Sequence, residues 1–283
     1  LLDFPDLSAD NEFIETGIRI AVIGRPNVGK STLINRMLGE NRLIVCDYPG
    51  TTRDTIEVPM EYRQQKYILV DTAGVRRSCK ITDVVEKFSV IKTLQAMRRA
   101  HVVIVVVNAQ DLLGEQDLRL IGLIAQLGKG LVIAFNKWDG MSEEDRQQFK
   151  EMVDHKLVFV DYARRYTLSA LHGTGVGKLY YAIQEAYTST MKALLTHQLT
   201  KALLSATKQH QPPLIKGRRI RLRYAHQGGN DPLSIIIHGK QTASLPLSYQ
   251  RYLSNFFRKQ FDLHGIPVLI ELRSDRNPYD PES

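Results

Sequence analysis

Cysteine is scarce in this chain, and long apolar runs are missing. Of the 283 residues only Cys46 and Cys79 are cysteine. They fall in no paired or metal-ligand spacing, which excludes a disulfide framework and a thiolate zinc site and favours a reducing, cytoplasmic setting. The strongest apolar stretch, VVIVVVNA from Val102, is far short of the ~20 residues that span a bilayer, and no secretory signal is evident. There is no internal repeat and no low-complexity tract, so a repeat architecture is excluded as well.

Over its first two-thirds the chain also lacks an excess of either charge. Residues 1–191 hold 24 Lys and Arg against 24 Asp and Glu, whereas residues 192–283 hold 14 against 6, so the whole net charge of +8 lies in the last third. Such a local excess suits a polyanion such as nucleic acid; a solvated basic surface is the plain alternative. The first residue is Leu, and the acidic, proline-containing lead LLDFPDLSADNEF reads as a linker over residues 1–16 cut from something longer.

What is there is a rhythm. Apolar runs at IRIAVI (from 18), YILVD (from 67), VVIVVV (from 102) and LVIAF (from 131) alternate with helical patterns from Lys30, over 84–99, near 115–127 and from about Val176. Runs of this length, bounded by turn chemistry, read as strands covered on both faces, and the alternation predicts a doubly wound, mostly parallel α/β domain over residues 17–191. After Tyr187 the pattern changes. A leucine-containing helix (Leu194, Leu195, Leu199, Leu203, Leu204) is followed by the breaker QPPLIKG, then RRIRLRYA, the turn HQGGNDP, LSIIIHG, LSYQRYLSNFFRKQF and IPVLIELR. This predicts a small α+β domain over 192–283 in the order α, β, β, α, β. Ile220, Leu222 and Tyr224 would face inward and Arg219, Arg221 and Arg223 outward.

GRPNVGKS at 24–31 follows a strand and opens a helix, where a phosphate loop has to sit. Gly24 and Gly29 let the backbone N–H groups of Arg25, Asn27 and Val28, on either side of Pro26, turn toward phosphate oxygens, and the helix start adds favourable partial charge. Lys30 would meet the β and γ phosphates, Ser31 would ligate magnesium, and Thr32 lies beside it. DTAG at 71–74 places Asp71 at a strand's carboxyl end, where it could hold magnesium through water; Thr72 and Ala73 lead to Gly74, whose N–H could meet a γ-phosphate. Between them PGTTRD offers Thr52 as a magnesium ligand present only with a third phosphate. Lys30, Asn27, Thr52 and Gly74 are thus the catalytic candidates.

NKWD at 136–139 ends the strand LVIAF. In the same sheet as a phosphate loop, Asp139 could accept from N1–H and the exocyclic amine of guanine, a pair that adenine does not present. Asn136 could bond the base's carbonyl side, Lys137 could cover the ring, and Ser169 and Ala170 could supply a backbone contact to the guanine oxygen. An isolated helix cap would look like NKWD, and a plain turn like DTAG. Trp138 and His101 read as packing residues, and Asp83 and Glu86 as acids at a helix start.

Taken together and in this order, GxxxxGKS, TTRD, DTAG, NKWD and SA resemble the translation-factor class of GTPases. GRPNVGKSTLIN and PGTTRD, followed by GRRIRLRYAHQGGNDP, SYQRYLSNFFRKQF and NPY, resemble the bacterial ribosome-assembly GTPases of the Der (EngA) family over essentially the whole chain after the linker. The resemblance implies the second of two tandem GTPase domains followed by a KH-like domain, the first being absent from this chain. It also implies GTP hydrolysis, GTP or GDP with Mg²⁺ as ligands, and a role in maturation of the large ribosomal subunit. Two departures qualify it. Residues 192–283 contain no GxxG loop, the usual KH clamp on a nucleic-acid backbone. Lys216, Arg219, Arg221 and Arg223 could still meet ribosomal RNA, or that face could dock on a GTPase domain. Second, Val75 stands where Ras-like enzymes place a water-orienting Gln. Related GTPases with an Asn in the phosphate loop use potassium, which assigns Asn27 as a K⁺ ligand. A binding module indifferent to nucleotide is the competing reading.

Overall fold

The computed structural model describes residues 17–39, 57–70, 86–215 and 218–274. Six strands form one sheet in the order β2-β3-β1-β4-β5-β6. They are β1 (Ile18–Ile23), β2 (Glu57–Tyr62), β3 (Gln65–Val70), β4 (Val102–Asn108), β5 (Gly130–Asn136) and β6 (Arg164–Thr167). All neighbours run parallel except β2, which returns antiparallel along β3. Every residue of β4 and β5 is buried, as expected of central parallel strands covered on both faces. The covering helices are α1 (Lys30–Gly39), α2 (Glu86–Arg99), α3 (Glu115–Gln126), α4 (Glu143–Lys156) and α5 (Gly177–Met191).

The periodic elements lie where the sequence predicts them. Strand β2, which pairs with β3 as a hairpin, and α4 do not figure among those predictions. Among the residues of α4 only Phe149 and Val153 are buried, so its apolar period is faint. Its start is nonetheless marked by Ser142, which caps Asp145, and by three acids in the first turn.

The C-terminal unit contains α6 (Thr196–Gln209), the short pair β7 (Leu214–Ile215) and β8 (Arg218–Arg219), then β9 (Arg221–Asn230), β10 (Leu233–Lys240), α7 (Leu247–Gln260) and β11 (Leu269–Ser274). Strands β11-β10-β9 make a second sheet. Its inner face carries Ala225, Ile235 and Ile237 against Leu199, Leu203, Leu253 and Phe257 of the two helices. Two expectations fail here. Residues 226–230 of the predicted turn HQGGNDP belong to β9, and the chain reverses only at Asp231 and Pro232. Tyr224 is 41% exposed rather than inward, because the pairing shifts register between Gly239↔Leu222 and His238↔Tyr224. A bulge at Arg223 thus resets the alternation and puts Tyr224 on the arginine side.

The two units share one continuous apolar core. The segment after α7 wedges against the start of β5: Leu131 N–H donates to Gly265 O at 2.7 Å and Gly265 N–H to Tyr162 O at 3.1 Å. His264 N–H donates to Ser189 Oγ at 3.0 Å. Two ion pairs flank this wedge, Lys129–Asp231 at 2.8 Å and Arg258–Asp161 at 2.9 Å. Docking therefore uses the 261–268 segment and not the arginine row, since Arg219, Arg221 and Arg223 are exposed. Leu131 and Asn136 stand at opposite ends of β5, so this junction lies roughly 17 Å along the strand from the NKWD end.

Candidate nucleotide site

The loop between β1 and α1 is a backbone cradle. Gly24 and Gly29 take φ +150° and +97°, and Asn27 takes φ 60°, a left-handed conformation that Asn tolerates better than most residues. A Cβ on Gly24 would come within 2.3 Å of Val106 O, and one on Gly29 within 2.2 Å of Asn136 Nδ2. Both positions need glycine for approach as well as for conformation. Leu33 N–H donates to Gly29 O, which starts α1. Lys30 Nζ donates to Arg25 O at 2.6 Å, folding its ammonium back across the loop. Burial pushes the Lys30 pKa down, and among the described residues no carboxylate pairs with it. A half-buried cation in a ring of glycine backbone suits an oxyanion ligand.

The loop is anchored from behind. Asp117 of α3 has no exposed surface; its Oδ1 accepts from Arg25 Nε at 2.9 Å and its Oδ2 from Gly114 N–H at 3.1 Å. The sequence reading passes over Asp117, which belongs to no motif and meets Arg25 only because α3 packs beside the cradle.

At the end of β5, Asn136 is a strut. Its Nδ2 donates to Val28 O and its Oδ1 accepts from Ala170 N–H, each at 2.8 Å. It thereby ties the phosphate loop to the 168–171 loop, which Arg36 of α1 also holds through Ala170 O at 3.4 Å and through Leu171 O. The Ala170 N–H donates to Asn136 and the Ser169 N–H to Thr174 O, so both groups also shape the 168–171 loop beside the strand end. Lys137 adopts φ 64° and turns the chain into the short helix Trp138–Gly140. Trp138 packs edge-on to Phe149 with Arg146 over its face, a packing role as expected.

Asp139 lies at the rim with a side chain 42% exposed. The Ser169 hydroxyl, its own backbone N–H and His172, 3.6 Å away, hold its carboxyl below the usual carboxylate range. The result is an ionised acceptor at the rim of the site. Thr52, Asp71, Thr72, Ala73, Gly74, Asp83, Lys216, Cys46 and Cys79 lie outside the described residues.

The chain is similar to known proteins over nearly its whole length. Residues 19–137 match the family described as 50S ribosome-binding GTPase, and residues 194–273 match the KH-domain-like C-terminal family of EngA bacterial GTPase enzymes. GTPase Der of Coxiella burnetii is 58% identical over 277 residues, 97% of this chain and 62% of that protein. The chain belongs to the Der GTPase family. Other Der proteins are similarly near: that of Marinobacter nauticus is 56% identical over 93% of this chain and 56% of its own length. That of Acinetobacter baumannii is 52% identical over 99% and 60%. The chain thus spans about six-tenths of the length of the Der relatives it matches. Among solved structures, a point variant of Aquifex aeolicus Era bound to GDP and AlF4⁻ superposes with a TM-score of 0.46 at 20% identity, covering 93% of this chain and 96% of that one. In the chain described here, Ser169 through its hydroxyl, His172 and Asp117 are the site residues that motif reading does not deliver.

Proposed function

We propose that this chain binds and hydrolyses GTP as a switch in assembly of the large ribosomal subunit. The observation that carries the reading is the pairing of the backbone cradle around Lys30 with an ionised, solvent-facing Asp139 at the end of the same sheet. One end suits phosphates and the other the donor edge of guanine. The family description matched by residues 19–137, a 50S ribosome-binding GTPase, supports the partner class. The unit boundaries are taken as residues 1–16 for a linker, 17–191 for the GTPase unit and 192–283 for the KH-like unit, in a protein of the cytoplasm.

In this reading the backbone N–H groups of the 24–31 loop other than Pro26, with the Lys30 ammonium, hold the phosphates in line for attack by water on the γ-phosphorus, with the β–γ bridging oxygen leaving. Ser31, Thr52 and Asp71 would hold a magnesium ion, whose charge offsets that of the phosphates. Gly74 would offer its N–H to the γ-phosphate. Valine at position 75 cannot orient water, so we assign Asn27, exposed at the lip of the loop, as a ligand for a potassium ion that supplies the missing positive charge. Turnover measured in potassium and in sodium chloride at matched ionic strength tests this: potassium should accelerate it, Asn27→Asp should change that dependence, and equal rates would reject the assignment.

A second reading draws on the arginine row, which is exposed while the 261–268 segment does the docking. There the C-terminal unit holds RNA whatever nucleotide is bound. Pelleting with large ribosomal subunits separates the two, because a switch prefers one nucleotide state and loses that preference in Lys30→Ala, whereas a simple module does neither.

A further inference from the structure

The outer face of the β11-β10-β9 sheet carries a preassembled ring stack. Tyr224 lies on His238 with ring centroids 4.4 Å apart and planes 7° from parallel. His226 Nε2 meets His238 Nε2 at 3.1 Å. The His226 Nδ1 faces Gln227 O at 3.1 Å; a carbonyl can only accept, so Nδ1 carries the proton and Nε2 accepts from His238. The His238 ring is therefore fixed at its edge by His226 and covered on one face by Tyr224. The tyrosine remains 41% exposed.

The backbone builds this exposure in. The bulge at Arg223 that turns Tyr224 outward brings β9 so close to β10 that a Cβ on Gly239 would sit 2.1 Å from Arg221 O. Cross-strand partners share a face, so Tyr224, His238 and Arg273 form one row across the three strands. Arg221 stands exposed beside that row, and Arg273 is exposed at its end. Flat rings already ordered and flanked by cations match what unpaired nucleic acid needs: a face for a base and charge for the phosphates on either side.

We propose that the open sheet face of the C-terminal unit is a stacking platform for single-stranded RNA, with one base on Tyr224 and the flanking phosphates on Arg221 and Arg273. This rests on the reading that the basic unit contacts RNA and adds the place and mode of contact. It also accounts for RNA binding by a KH-like unit without a GxxG loop, since the platform needs no backbone clamp.

The test uses the 283-residue chain and a fluorescein-labelled oligoadenylate RNA of about twelve nucleotides, within the length one such module covers, together with a version carrying a central 2-aminopurine. Tyr224→Ala should weaken binding about tenfold, within the range of base-on-aromatic stacking, and should abolish the 2-aminopurine quenching seen on binding. Tyr224→Phe should keep both within about twofold, since the stacking face is retained. Arg221→Ala with Arg273→Ala should flatten the salt dependence by roughly 1 to 2 in log–log slope. GDP affinity and the thermal transition should be unchanged in all three variants, since these side chains lie on the surface. If the parent chain binds RNA and Tyr224→Ala binds it equally with the same quenching, the platform is refuted while RNA contact stands. If the parent chain binds no RNA, both fall.

Discussion

In the proposed reading, Asp139 turns one exposed carboxylate into a selective reader of guanine. Its side chain is open to solvent, so its acidity comes from the Ser169 hydroxyl first and not from burial. Replacing it by Asn exchanges an acceptor pair for an acceptor and a donor. Asp139→Asn should lose about a hundredfold or more in GDP affinity and gain affinity for xanthosine diphosphate, as read by displacement of a fluorescent nucleotide, because a site built on hydrogen bonds rejects the base that leaves them unpaired. The Ser169 contact has its own signature. A carboxyl held below its ordinary 3.8 gives an interaction fully present above that value and lost as pH falls through the lowered one. In Ser169→Ala the acid limb of nucleotide binding should therefore start at higher pH than in the parent chain. NKWD and SA are legible in the sequence as a pair of motifs. The hydroxyl-to-carboxylate contact is not, since it depends on the ends of β5 and β6 lying side by side.

At the scale of elements, the phosphate loop and the 168–171 loop are separate stretches of chain made into one site by Asn136. Asn136→Ala would leave Val28 O and Ala170 N–H buried without partners, at about 1–3 kcal/mol each. It should therefore lower both the unfolding free energy in urea and the nucleotide affinity; a loss of affinity with unchanged stability would contradict the strut. His101, at the start of β4, is the other element-level joint. Its Nδ1 accepts from Arg19 N–H at 3.1 Å, and burial pushes its pKa down. The stability it supports is present above the ordinary histidine value of about 6.5 and is lost as pH falls below it. His101→Asn, which keeps an acceptor, should flatten that fall in pH-dependent urea melts. Strands with strong apolar runs are readable from sequence, whereas α4, with two buried residues, and the bulge in β9 are not. The first lacks a stripe, and the second is set by cross-strand register that no local pattern encodes.

Across the whole molecule, the C-terminal unit meets the sheet at the start of β5, and the nucleotide motifs sit at its end. The shared core predicts that both units unfold together. Lys129, with a side chain 8% exposed, pairs with Asp231, which is 25% exposed. Lys129→Ala should cost about 1–3 kcal/mol in urea unfolding, less than a fully buried pair because Asp231 keeps some water, and should leave nucleotide affinity unchanged. The charge asymmetry of the sequence does foretell a basic C-terminal surface. Which segment docks and which stays open follows only from the fold, because both the arginine row and the 261–268 segment flank apolar runs. The central claim is that this architecture reads guanine through Asp139 while Lys30 holds phosphate. Competition of GTP, ATP and XTP for the site in the parent chain and in Asp139→Asn tests it most directly. The account predicts GTP far ahead of ATP in the parent and XTP ahead of GTP in the variant. Equal displacement by ATP and GTP in the parent, or an unchanged order in the variant, would contradict it.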